Sequence, residues 1–192
     1  QRVHEPRGGG ASSYRKSVYP INPELYSATE RLMRELKYTG VAMVEFKLNL
    51  DTGDWIFIEI NGRFWGSLPL ALASGVDFPR LLFEMIALEQ TPSAPTPKGT
   101  VYCRNLKRDL YWAIDNLKDR LSAKTAKDSA PIGLMIAEYL RLLTGREHID
   151  SFTLDDPKPG LAEFSEVVGM MVGKIKTICV RLFRSFYPIR RW

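Results

Sequence analysis

"GVAMVEFKLNLDTGDWIFIEINGRFWG", residues 40–66, decides the fold class of this chain. Two runs with apolar residues at alternate positions flank Asp-Thr-Gly, the pattern of an antiparallel hairpin. Side chains alternate along a strand, so Ala42, Val44, Phe46 and Leu48 share one face of the first run and Ile56, Ile58 and Ile60 one face of the second. Both runs therefore offer an apolar side to a core. The predicted turn is a three-residue loop closed by Gly53 in the left-handed conformation, with Leu50 facing Asp54. Counting back along both strands then places Glu45 directly opposite Glu59, on the face away from the isoleucines.

Directly opposed residues have Cβ atoms about 4.5–5.5 Å apart, and like charges there are destabilising. Two carboxylates so placed share a proton, splay into water, or bind something positive. Asn61 adds a neutral carbonyl oxygen two residues along the same face. Oxygen ligands with positions left open suit Mg²⁺, which keeps several waters and binds substrate phosphates with one or two carboxylates. Arg63 continues the row and offers a planar fork to a phosphate or carboxylate. A half-exposed hairpin with no chemistry shows the same alternation. What separates this one is composition, since a solvent face usually carries Lys, Thr or Ser rather than two acids across the ladder.

Upstream, residues 1–19 read as a short polar strand, a triple-glycine loop and a second extended piece. Residues 22–40 read as a helix with Asn22 as N-cap, Pro23 in the first position and Gly40 as the stop. Downstream come two short helices separated by Gly75, the second opened by Asp77 with Pro79 in its first turn. "QTPSAPTPKGT", residues 90–100, holds three prolines and marks the expected boundary between a unit at 1–89 and a mainly helical extension at 101–192. The fold class is α+β, an antiparallel sheet with helices packed on it, followed by that extension. Leu161, Phe164, Val168, Met171, Ile175, Ile178 and Leu182 alternate spacings of three and four in the last segment, one continuous apolar stripe.

The 192 residues suffice for a sizeable core, and 45% hydrophobic with 26% charged is a globular balance. The formal charge is +5, unevenly spread: from Lys174 onward there are six basic residues (Lys174, Lys176, Arg181, Arg184, Arg190, Arg191) and no acidic one. That tail fits either a helix docked on the domain, whose late cations complement the helix dipole, or a helix lying on an anionic membrane. Nucleic acid is not expected, because the basic residues lack interleaved aromatic platforms. Cys103 and Cys179 form no CxxC or Cys/His cluster, which suggests neither a disulfide framework nor zinc and suits a cytoplasmic location. No apolar run approaches the roughly 18 residues of a spanning helix. His4 and His148 are isolated and receive no chemical role. Asp155 and Asp156 precede Pro157 and are read as turn-formers. The first residue is Gln, and residues 1–5 already read as a strand, so we expect a fragment whose beginning is missing.

The segments "RVHEPRGGGASSYRKSV", "GVAMVEFK" and "IFIEINGRFWGSLPLALASGVDFP" resemble the ATP-grasp superfamily, and more closely its branch similar to the carbamoyl-phosphate synthetase large subunit and carboxylate–amine ligases. The resemblance covers roughly the first half of the chain and implies its C-terminal portion of the ATP-grasp fold. It also implies an ATP-dependent ligase that phosphorylates a small carboxylate, giving an acyl phosphate that an amine attacks. Glu45, Glu59 and Asn61 match the family's ligands for Mg²⁺ (or Mn²⁺) and so contact the nucleotide's metal, while Arg63 matches the basic residue that steadies the transferring phosphate. Arg7 and Arg15, around the triple glycine, are candidates to meet the substrate carboxylate from a closing loop. Gly62 departs from the family's frequent proline and is expected to loosen the strand end. The family's nucleotide-gripping lysines are not in this stretch, so this chain alone is expected to be inactive. Two alternatives stay open: a non-catalytic nucleotide-binding or scaffold relative, and an enzyme whose carboxylate is bicarbonate, making a carboxylated product or carbamoyl phosphate. "RDLYWAIDNL" and "DSFTLDDPKPGL" resemble recurrent elements of the branch's C-terminal extension, without assigned chemistry.

Overall fold

The computed structural model describes residues 1–6, 11–93, 95–121, 129–145 and 147–186, with side chains to residue 173. In chain order its elements are β1 (Arg2–His4), β2 (Tyr14–Lys16), α1 (Pro23–Glu35), β3 (Met43–Leu48), β4 (Trp55–Asn61), α2 (Leu68–Ala73), α3 (Phe78–Ala87), β5 (Tyr102–Arg104), α4 (Leu106–Leu121), α5 (Ile132–Leu140), a 3-10 turn at Arg141–Thr144, β6 (Glu147–Ile149) and α6 (Lys158–Phe186). This is a mixed α+β arrangement. Strands β1-β2-β5-β6 form one sheet in that order, and β3 pairs with β4 in a separate hairpin.

The four-stranded sheet is mixed rather than wholly antiparallel. β1–β2 and β2–β5 run antiparallel, whereas β5–β6 run parallel. A parallel pair needs a long crossover connection, and the segment carrying α4 and α5 supplies it. β2 and β5 pair across the proline-rich residues 90–100, so this sheet draws strands from both sides of that segment. Its interior is unusually polar. Tyr14 and Cys103 are the buried apolar residues among those described, and His4, Ser12, Ser13, Arg15, Arg104, Asp109, Glu138 and Glu147 are buried around them.

Local chemistry accounts for the helix ends. The Asn22 side chain accepts from the Glu24 and Leu25 amides at 2.8 and 3.4 Å and starts α1. The helix stops before the expected Gly40. Lys37 takes a left-handed φ of 49°, its amide reaching the Arg34 carbonyl at 3.0 Å and the Tyr38 amide the Met33 carbonyl at 3.0 Å. These two bonds satisfy the last carbonyls in a Schellman motif with lysine in the place glycine usually takes. Asp77 caps α3 through the Arg80 amide at 2.9 Å, after Gly75 has turned the chain at φ 90°.

The hairpin reaches the expected pairing by an unexpected route. Its loop has four residues, not three: Asn49 faces Asp54 through a 2.8 Å bond, and the Asn49 side chain accepts from the Asp51 and Thr52 amides at 2.9 and 3.4 Å. Gly53 is left-handed, φ 79°, as expected. From this loop the register runs Leu48↔Trp55, Lys47↔Ile56 and Phe46↔Phe57, then shifts, and continues Glu45↔Glu59, Val44↔Ile60 and Met43↔Asn61. Ile58 is the extra residue of a β-bulge. The bulge also reverses the faces near the tip. Phe46 meets Trp55 and Phe57 edge-on, at centroid distances of 5.3 and 6.1 Å, where Ile56 and Ile58 were expected.

The final helix docks by a face other than its apolar stripe. Gly160 lies so close to Phe152 that a Cβ there would fall 2.6 Å from Cδ2, and Glu163 accepts from the Lys107 amide at 3.0 Å and from the Ser151 hydroxyl. Lys107 Nζ reaches Glu166 at 2.6 Å. Leu161, Phe164, Val168 and Met171 are exposed. The side chains of Ile175, Ile178, Leu182 and the basic tail lie outside the described residues. No helix among the described residues is long and apolar enough to cross a membrane.

Candidate metal and phosphate site

Glu45 on β3 and Glu59 on β4 are directly opposed, with Asn61 two residues further on the same strand. The Asn61 side-chain amide donates to Glu59 Oε1 at 2.6 Å, which orients the carboxylate and leaves the amide carbonyl as a neutral oxygen donor. Glu45 carries a partner from another sheet: the Arg2 guanidinium, which also holds Glu5 at 3.0 Å. Burial alone would lower the Arg2 pKa, but the Glu5 hydrogen bond and the charge on Glu45 win and leave it raised. A cation thus already sits beside one acid of the pair and offsets the like-charge repulsion that opposition creates.

Two carboxylates and one amide carbonyl make an all-oxygen set with no soft ligand. Among the described residues no group of three or more His, Cys, Asp or Glu could hold a metal ion, so the hairpin is not a dedicated protein cage. It fits the demands of a hard cation such as Mg²⁺, which takes one or two carboxylates and fills its other positions with water and phosphate. Glu59 is exposed, and the Glu45 side chain, beside Arg2, is 24% exposed.

Arg63 lies two residues beyond the end of β4, exposed, its guanidinium on the Phe64 carbonyl at 3.0 Å. Gly62, between it and Asn61, has a packing reason to lack a side chain: a Cβ there would lie 3.0 Å from the Tyr38 hydroxyl. Arg15 is elsewhere and otherwise engaged. It is 4% exposed on β2, with its guanidinium on Asp150 and on the Gly66 carbonyl at 2.5 Å. Asp150 meets the charge that was expected to face a substrate carboxylate. Arg7 and the triple glycine lie outside the described residues. The hairpin therefore brings together Glu45, Glu59 and Asn61, adds Arg2, and leaves Arg63 at its mouth.

Residues 4–108, which include the whole hairpin, match a family model described as an ATP-grasp in the biosynthetic pathway with Ter operon. The chain belongs to this ATP-grasp family. Searches of curated proteins and of solved structures returned no match. ATP-grasp domains are generally ATP-dependent ligases and typically use ATP with Mg²⁺ or Mn²⁺. The match ends early in α4, so most of the helical extension lies beyond it.

The ATP-grasp chain also contains a buried charged network that sequence reasoning missed. His4, read above as isolated, has Nδ1 2.8 Å from Asp109 and Nε2 2.9 Å from Glu138, and its ring stacks on Trp112 at 3.4 Å. Arg104, fully buried, grips Asp109 with one nitrogen and Glu147 with another at 3.2 Å, its guanidinium 3.8 Å above the Tyr14 ring. Tyr14 donates to Glu147, and Ser13 to Asp109 at 2.9 Å. Burial would raise the Asp109 carboxyl, yet the His4 hydrogen bond and the Arg104 charge hold it below its ordinary value. Burial pushes the Tyr14 hydroxyl up, reinforced by Glu147, and pushes the Cys103 thiol up, reinforced by Asp150, so neither is an activated nucleophile. The network joins β1, β2, β5 and β6 to α4 and α5. It is the glue between the matched region and the extension. The one local signal was Arg104 preceding Asp109 by five residues at a helix start, too common a pattern to single out.

Proposed function

We propose that the hairpin handles metal and phosphate in an enzyme that spends ATP to activate a small carboxylate as an acyl phosphate, which an amine then attacks. Glu45, Glu59 and Asn61 hold Mg²⁺ or Mn²⁺ in this reading. When bound, the metal supplies positive charge to the phosphate oxygens, the main need of phosphoryl transfer. Arg63, exposed at the mouth of the hairpin, turns its guanidinium from the Phe64 carbonyl to the transferring phosphoryl group, and Arg2 adds positive charge beside Glu45. A place in the branch similar to the carbamoyl-phosphate synthetase large subunit and a cytoplasmic setting belong to the same proposal.

The observation that carries the reading is the facing of Glu45 and Glu59 with Asn61 bonded to the second acid. A scaffold has no physical need to oppose two acids on an exposed ladder. The Arg2–Glu45 pair is what favours the rival, a non-catalytic relative in which Glu45 only ties β1 to the hairpin. Mn²⁺ titration followed by electron paramagnetic resonance separates the two. Metal is expected to bind, and Glu59→Gln to weaken binding at least tenfold with the circular dichroism spectrum unchanged. Equal affinity in the variant would remove the hairpin from the metal site. In the protein that carries out the reaction, the same change is expected to abolish metal-dependent phosphoryl transfer.

A further inference from the structure

The apolar stripe of α6 points away from the fold, and the helix that carries it is held in place from behind. Leu161, Phe164, Val168 and Met171 are 58, 57, 43 and 47% exposed. On the other side Gly160 seats against Phe152, and Glu163 and Glu166 are engaged by Lys107 and Ser151. Docking has thus used the polar side of the helix and left the apolar one to solvent. We propose that this stripe lays α6 on an anionic lipid bilayer surface, with the basic segment that begins at Lys174 as its electrostatic anchor.

Charge decides between the surfaces such a stripe could cover. Spacings of three and four would also suit a coiled coil with a second copy. Parallel self-pairing would bring together two segments that each carry six basic residues and no acidic one after residue 173, and antiparallel pairing would set each such segment against the first half of its partner. Of the acids in α6, Glu166 is paired with the Lys107 ammonium, which leaves Glu163, held by the Lys107 amide and the Ser151 hydroxyl, as one negative charge against those six positive ones. An anionic bilayer supplies the missing negative charge and an apolar layer for the stripe at once. The contact lies along the surface, because no helix among the described residues is long and apolar enough to span.

Co-sedimentation of the chain with vesicles tests this. The protein is expected to pellet with phosphatidylcholine vesicles containing phosphatidylserine, to stay in solution with phosphatidylcholine alone, and to be released by high salt. The double change Phe164→Glu and Val168→Glu, at exposed positions, is expected to cut vesicle affinity at least about tenfold. Lys174→Ala and Lys176→Ala are each expected to cut it about fivefold. Failure of the parent chain to bind the mixed vesicles would overturn the proposal. So would binding that ignores Phe164→Glu and Val168→Glu, or light scattering that shows a dimer which Val168→Glu dissolves, since the stripe would then belong to a second copy.

Discussion

The hairpin and the four-stranded sheet treat charge in opposite ways. On the hairpin, Glu45 and Glu59 face each other in the open, and each is steadied by one neighbour, Arg2 or Asn61. In the sheet, His4, Arg104, Asp109, Glu138 and Glu147 are buried, and each is met by others of the set. Water solvates the first group and leaves it free to exchange partners. The second has no such freedom, since removing one member strands a charge in a dry interior. The same residue types therefore serve binding in one place and cohesion in the other.

The largest effect should come from the sheet. Arg104→Met is expected to cost about 3–5 kcal/mol, because Asp109 and Glu147 lose their buried counter-charge; urea unfolding measures it, and a loss under about 1 kcal/mol would erase the contrast. Acid sharpens the same point. The Asp109 pKa is lowered in the fold from an ordinary 3.8, so its contribution is complete above that value and fades as pH falls through the folded one. Stability should drop on acidification below about pH 4, and Asp109→Asn, already destabilised at neutral pH, should show a flatter acid limb. At the hairpin tip, Gly53→Ala is expected to cost about 1 kcal/mol through its left-handed backbone, read as a shift in urea midpoint. Smallest of all, Glu59→Gln should change stability by no more than about 0.5 kcal/mol. A large loss there would make the acid pair a structural feature like the buried one.

How far each region could be read from the sequence follows from the separation of its partners. Glu45 and Glu59 lie on adjacent strands joined by a short loop, so alternation and a turn signal suffice to pair them. Even so, the predicted three-residue turn was wrong, and the bulge at Ile58 compensated for it; the acid pair came out right while the aromatic face did not. His4 meets Asp109 across 105 positions and Glu138 across 134, and no periodicity links residues so far apart. The apolar stripe of α6 was legible as a stripe, but its direction was not. That direction depends on Gly160 fitting Phe152 and on two glutamates finding Lys107 and Ser151.

The extra residue at Ile58 divides the hairpin into a tip and a base of opposite phase. Excising it would leave Phe46 facing Phe57 and Glu45 facing Glu59, since the residues on either side already hold those partners. A version of this strand one residue shorter would thus keep both the aromatic cluster and the acid pair, losing only the local bend. Length at this point is tolerant, and a gap there in a comparison of two such chains would not signal a lost site.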